Sequence, residues 1–127
     1  MSYHLFLDDE RNPYKVTWIR LPDAVWEVVR SYDQFVEAIN ILGVPGFVSF
    51  DHDLADEHYA KMLTDHDADS EIDYGSEKTG YDCAKFLVDF CADNGHKFPE
   101  YAVHSMNPIG SERIRAYIEN AKIHMGI

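Results

Sequence analysis

The stretch Phe47-Val48-Ser49-Phe50-Asp51-His52-Asp53 decides how the rest of the chain is read. A short run, apolar apart from Ser49, stops abruptly at carboxylates. That is the pattern of a parallel strand buried on both faces. The stretch His4-Leu5-Phe6-Leu7-Asp8-Asp9-Glu10 has the same shape. Two such strands lying side by side would bring Asp8, Asp9, Asp51 and Asp53 into one crevice beyond their C-terminal ends. Open α/β sheets bind ligands in that crevice. Asp51 and Asp53 share a face of an extended chain, because side-chain direction alternates. Carboxylates packed so closely repel, and a hard cation such as Mg²⁺ or Mn²⁺ holds them together best.

Outward from these stretches, the pattern predicts alternating strands and helices. Residues 3–8 read as a first strand, and 10–24 as irregular chain punctuated by Pro13 and Pro22. Residues 25–30 are β-rich. Ser31-Tyr32-Asp33-Gln34 resembles a capping box, followed by a helix with Phe35, Ala38, Ile39 and Leu42 on one face and Gly43 at its end. Residues 47–50 are the third strand. Thr79-Gly80-Tyr81-Asp82 opens a second helix, which carries Ala84, Leu87, Val88 and Cys91 on one stripe. Residues 100–105 are a fourth strand. Asn107-Pro108 starts a last helix, striped by Ile114, Tyr117, Ile118 and Ala121. The expected fold is α/β: a mainly parallel four-stranded sheet flanked by helices.

With 127 residues, 46% of them hydrophobic, the chain is expected to form one domain over residues 1–127 with a true core. It contains no apolar stretch long enough to cross a bilayer and no visible signal peptide. Cys83 and Cys91 fall in one predicted helix, roughly 12 Å apart at its rise per residue, too far for a disulfide. A reduced, cytoplasmic protein is therefore expected. The net charge of −12 argues against general DNA binding. Residues 51–77 carry ten acidic residues against one lysine, so 54–78 reads as an acidic loop or lid. A nucleotide or RNA end could still bind locally if a metal offset the carboxylates.

The fourth strand end adds His104 and Ser105 to the same edge, with Asn107 at a helix N-terminus. The candidate metal ligands are Asp8, Asp9, Asp51 and Asp53. His52 and His104 are the candidates for proton transfer, or for nitrogen ligation that would tilt the ion toward Mn²⁺. Ser105, Asn107 and Arg11 are the candidates for holding phosphate oxygens. Each has a plain structural reading beside the functional one. Asp8 and Asp9 can be solvated strand-end carboxylates, Asp51-His52-Asp53 a turn, His104 a satisfied core histidine, and Ser105 a turn residue. Arg11 can be a salt-bridge partner of Asp8 or Asp9, while Trp18 and Trp26 read as core or rim.

Four blocks together carry a family resemblance: Leu5-Phe6-Leu7-Asp8-Asp9-Glu10-Arg11-x-Pro13, Phe50-Asp51-His52-Asp53-Leu54, Thr79-Gly80-Tyr81-Asp82, and His104-Ser105-Met106-Asn107-Pro108-x-Gly110. In this order they resemble the cyclic-phosphate processing receiver domain family, relatives of response-regulator receiver domains. The resemblance implies a receiver-like, flavodoxin-like fold. Asp8 and Asp9 look like the receiver acidic pair that binds Mg²⁺, Asp51 like the phospho-acceptor, and Ser105 lies near the place of the switch hydroxyl. Two departures follow. No fifth strand ending in the receiver lysine is legible, and His52, Asp53 and His104 are not receiver equipment. The resemblance thus implies a metal-dependent phosphoesterase for a cyclic phosphate, either a 2′,3′-cyclic RNA end or a cyclic nucleotide. The alternatives are a non-catalytic module binding a metal or nucleotide, and a degenerate phospho-acceptor domain.

Overall fold

The computed structural model describes residues 3–54 and 78–127. Four strands make one all-parallel sheet: β1 (His4–Leu7), β2 (Trp26–Val29), β3 (Phe47–Phe50) and β4 (Glu100–Val103), in the order β2-β1-β3-β4. Among the described residues three helices accompany them: α1 (Tyr32–Leu42), α2 (Gly80–Asp93) and α3 (Pro108–Met125). This strand order is that of the flavodoxin-like fold through its fourth strand. The expected acidic loop or lid falls almost entirely outside the described residues.

Topology decides which face each connection covers. From β2 to β3 and from β3 to β4 the sheet is crossed in one direction, so right-handed crossovers put α1 and α2 on the same face. From β1 to β2 the step runs the other way, and residues 8–25 cross the opposite face. No full helix forms there; a single 3₁₀ turn at Pro13–Lys15 is its only regular piece. The helices make a layer in which α2 packs between α1 and α3. Leu5, Leu7, Val48 and Phe50 point into that layer and meet Phe35, Ile39, Leu87, Val88, Ile114 and Ile118, all fully buried. Burying such side chains is worth about 1.5–3 kcal/mol each. Cys83 and Cys91 are both buried in this core.

The other face is aromatic. Phe6 is fully buried and stacks on the His104 ring at 4.5 Å, nearly parallel. Trp26 meets His4, Phe6 and Phe47 edge-on. Val16 and Trp18 of the 8–25 segment close over this side, and the Trp18 indole donates to the His104 carbonyl at 2.8 Å.

The helix starts behave largely as their sequences dictate. Thr79 and Asp82 form a complete capping box. Asn107 caps α3 by accepting the Gly110 N–H, with Pro108 in the first turn. Ser31 caps α1, but Gln34 does not reach back to it; its side-chain oxygen accepts the Arg30 N–H instead. Leu42, expected on the buried stripe, is half exposed at the end of α1.

Candidate functional site

The strand register builds the site. Leu7, Val29, Phe50 and Val103 stand in one row across the sheet. The ladder carries on for one more residue. Asp8 donates its N–H to the Val29 carbonyl, Asp51 to Leu7, and His104 to Phe50, at 2.9–3.1 Å. Arg30, Asp8, Asp51 and His104 are therefore the next row, and alternation turns their side chains to the face opposite the helices. One side-chain atom each from Asp8, Asp51 and His104 falls within 4.8 Å of the others.

Asp8 has no solvent exposure, and its carboxylate is saturated. Oδ1 accepts the N–H groups of Glu10 and Arg11 at 2.9 and 2.8 Å. Oδ2 accepts from His104 Nε2 at 2.9 Å and from Arg11 Nη1 at 3.4 Å. Burial alone would raise its pKa. The hydrogen bonds from His104 and from the two backbone N–H groups outweigh it and hold Asp8 well below the usual carboxylate range. On the far side of the ring, His104 Nδ1 meets the buried Ser49 Oγ at 2.7 Å. Both ring nitrogens of His104 are engaged. Ser49, His104 and Asp8 thus form a closed relay inside the protein.

Asp51 is the opposite case. It is nearly buried, and its pKa is pushed up to about 7 by burial first and then by the charges of Asp8 and Asp9. A hydrogen bond from Ser105 and the charge of Arg11 only partly offset this. It faces an open crevice of about 330 Å³, with Asp9, Arg11, Asp53, Ser105, Met106 and Asn107 around it. A larger cavity of about 510 Å³ lies between the 3₁₀ turn and β2, but its lining is mostly apolar. The carboxylates gather at the smaller one.

The structure divides the sequence candidates into three sets. Asp9, Arg11, Asp51, Asp53, Ser105 and Asn107 share the crevice. Asp8 and His104 lie behind it, bonded to each other. His52 lies to one side, its ring against the backbone of Gly110 and its Nδ1 on Asp53 at 2.8 Å. Asp53 also accepts from the Asn107 amide at 3.3 Å, so it is held at the start of α3. Ser105 Oγ accepts the Asn107 N–H at 3.1 Å. Arg11 places Nη1 on Asp8 and Nη2 at 3.7 Å from the Met106 sulfur, which joins the salt-bridge and crevice readings in one side chain. The oxygen-rich set at the crevice suits a hard divalent ion. Asp51 and Asp9 face the space such an ion would fill, while Asp8, its lone pairs occupied, stands behind them. The ring nitrogens of His104 are both engaged, although the ring is close enough to ligate.

Two glycines shape this floor. A Cβ on Gly80 would sit 1.7 Å from the Asp51 carbonyl oxygen, and one on Gly110 would sit 2.4 Å from His52 Cγ. The starts of α2 and α3 therefore clamp the Asp51–His52 segment only because both residues lack a side chain. Arg30, absent from the sequence candidates, holds the acidic turn from below. Nη1 donates to the carbonyls of Asp8 and Arg11 at 3.2 and 2.5 Å, and Nη2 to Asn12 Oδ1 at 2.8 Å. Ser49 was legible as the one polar residue in an apolar strand. Arg30 carried no such signal, because its place beside Asp8 depends on register.

No curated protein and no solved structure matches the chain at a significant level. The family model described as the cyclic-phosphate processing receiver domain matches residues 3–120. That span includes every strand, the crevice and the buried relay, and with it the chain belongs to the cyclic-phosphate processing receiver domain family.

Proposed function

We propose that the protein is a metal-dependent phosphoesterase that opens a cyclic phosphate, either a 2′,3′-cyclic RNA end or a cyclic nucleotide. The observation that carries this reading is Asp51, a nearly buried carboxylate with a pKa of about 7, crowded by Asp8 and Asp9 at the floor of a crevice. A bound Mg²⁺ or Mn²⁺ would neutralise this charge and polarise a phosphoryl oxygen. Asp9 and Asp51, with Asp53 at the rim, are the residues that would hold it. Ser105 and the Asn107 amide orient the phosphate at the start of α3, where the helix dipole favours negative charge. Arg11, with Nη2 beside the Met106 sulfur, offers positive charge at the same crevice. Asp53 orients His52 through Nδ1 for proton transfer to the leaving oxygen. His104 serves by fixing Asp8 rather than by meeting substrate.

The test is hydrolysis of cyclic and linear phosphodiesters with Mg²⁺ or Mn²⁺, wild type against Asp51→Asn. Turnover of a cyclic ester that falls at least 100-fold in the variant supports the reading. Equal rates, or no turnover on any ester, would sink it. A second reading is favoured by the engagement of both histidines: a module that binds the metal or a nucleotide without chemistry. Tight retention of an unchanged cyclic nucleotide would be its signature.

A further inference from the structure

Beside the carboxylates, the crevice has a wall of a different kind. The Arg11 guanidinium lies over the Trp18 ring, 5.3 Å from its centroid. Its Nη2 is 3.7 Å from the Met106 sulfur. Met106 is 63% exposed and Trp18 38%, although large apolar side chains are usually covered. Arg11 and Met106 both line the crevice. Trp18 is pinned to the same strand end through its indole N–H on the His104 carbonyl. An indole, a guanidinium plane and a thioether thus line up at the rim, beside the start of α3, which Met106 directly precedes.

We infer that Trp18, Arg11 and Met106 form a platform for the base of a single nucleotide whose cyclic phosphate enters the carboxylate crevice. Nucleobases stack on aromatic rings and on guanidinium planes, and such stacking tolerates any base. The platform presents flat, polarizable surface, which a sugar phosphate without a base would leave uncovered. The net charge of −12 works against the further phosphates of a polymer, so the ligand is a mononucleotide rather than an RNA chain. This inference rests on the phosphoesterase reading of the crevice and adds the part of the ligand that the carboxylates do not touch.

The test is calorimetric titration of the full chain with Mg²⁺ present, using three probes. They are adenosine 2′,3′-cyclic phosphate, methyl riboside 2,3-cyclic phosphate, which lacks a base, and a ten-nucleotide RNA ending in a 2′,3′-cyclic phosphate. The mononucleotide is expected to bind about ten-fold or more tightly than the base-free probe, and more tightly than the RNA. Met106→Ala, at an exposed position, should shrink the first ratio several-fold; Trp18→Leu should bring it close to one. In a Trp26→Phe background, the remaining Trp18 fluorescence should be quenched by the mononucleotide and not by the base-free probe. Equal affinity for nucleotide and base-free probe, with both binding, overturns the platform and leaves the phosphoesterase reading standing. So does an unchanged ratio in Met106→Ala together with unquenched Trp18. Tighter binding of the RNA overturns the mononucleotide assignment. No binding of any probe removes both readings.

Discussion

Two aspartates one strand apart are driven in opposite directions. Both are buried, yet Asp8 is the stable anion, because four donors surround it. Asp51 receives one hydrogen bond from Ser105 and faces two like charges, so burial wins. The difference separates the two: Asp8 is held by its donors, and Asp51 is the group with unmet demand. The relay behind Asp8 is expected to be costly to break. Ser49→Ala should destabilise the fold by about 1–3 kcal/mol in urea unfolding, since it leaves the buried His104 nitrogen without its hydrogen-bond partner. His104→Ala should cost more, roughly 3–5 kcal/mol, because the buried Asp8 charge loses its one fully buried side-chain donor and a ring-sized space opens beside it. If His104→Ala unfolds at the wild-type urea midpoint, the relay carries no stability. The residue types at this site were readable from the sequence. Their partners were not, because His104 and Asp8 are 96 positions apart, and only the strand order makes them neighbours.

At the level of elements, the site is a set of ends held in place by other ends. Arg30, the first residue beyond β2, clamps the turn that carries Asp8 and Asp9 by two carbonyls and the Asn12 side chain. Arg30→Ala should weaken Mn²⁺ binding about 10–100-fold, the usual effect of losing an outer-shell support. Its effect on the fold should be modest, read by comparing Mn²⁺ titration with urea unfolding. An unchanged Mn²⁺ affinity would mean that the turn holds itself. Gly110→Ala should push the His52 ring aside, since a Cβ at 2.4 Å leaves no room for it. The His52 ring signals in NMR should shift while the core signals stay in place. The helix starts were legible because capping chemistry is local: Thr79, Asp82, Asn107 and Pro108 act within a few residues. The extra reach of Gln34 toward Arg30 was not, since it depends on the sheet holding Arg30 there.

For the whole molecule, parallel strands with right-handed crossovers place every strand C-terminus on one edge, and that edge gathers the acidic residues. The fold class followed from alternating strand and helix patterns. The missing helix between β1 and β2 followed from Pro13 and Pro22. The relay and the clamp needed the third dimension. The opposed shifts of Asp8 and Asp51 give a signed dependence of stability on pH in the absence of metal. Asp8 sits below its unfolded value of 3.8, so its contribution is present above about pH 4 and fades in stronger acid. Asp51 sits above 3.8, so its contribution is full in acid and is lost as pH rises toward about 7. Stability without metal should therefore peak in mild acid and decline toward pH 8, with Asp51 accounting for at most about 4 kcal/mol of the decline.

The most direct measurement is thermal unfolding at pH 8, wild type and Asp51→Asn, each with and without Mg²⁺. A crevice built around an uncompensated carboxylate requires Asp51→Asn to melt higher than wild type in the absence of metal. Mg²⁺ should then raise the melting temperature of wild type and leave that of the variant nearly unchanged. A variant that melts lower than wild type without metal, or that gains as much from Mg²⁺, would contradict the role given to Asp51.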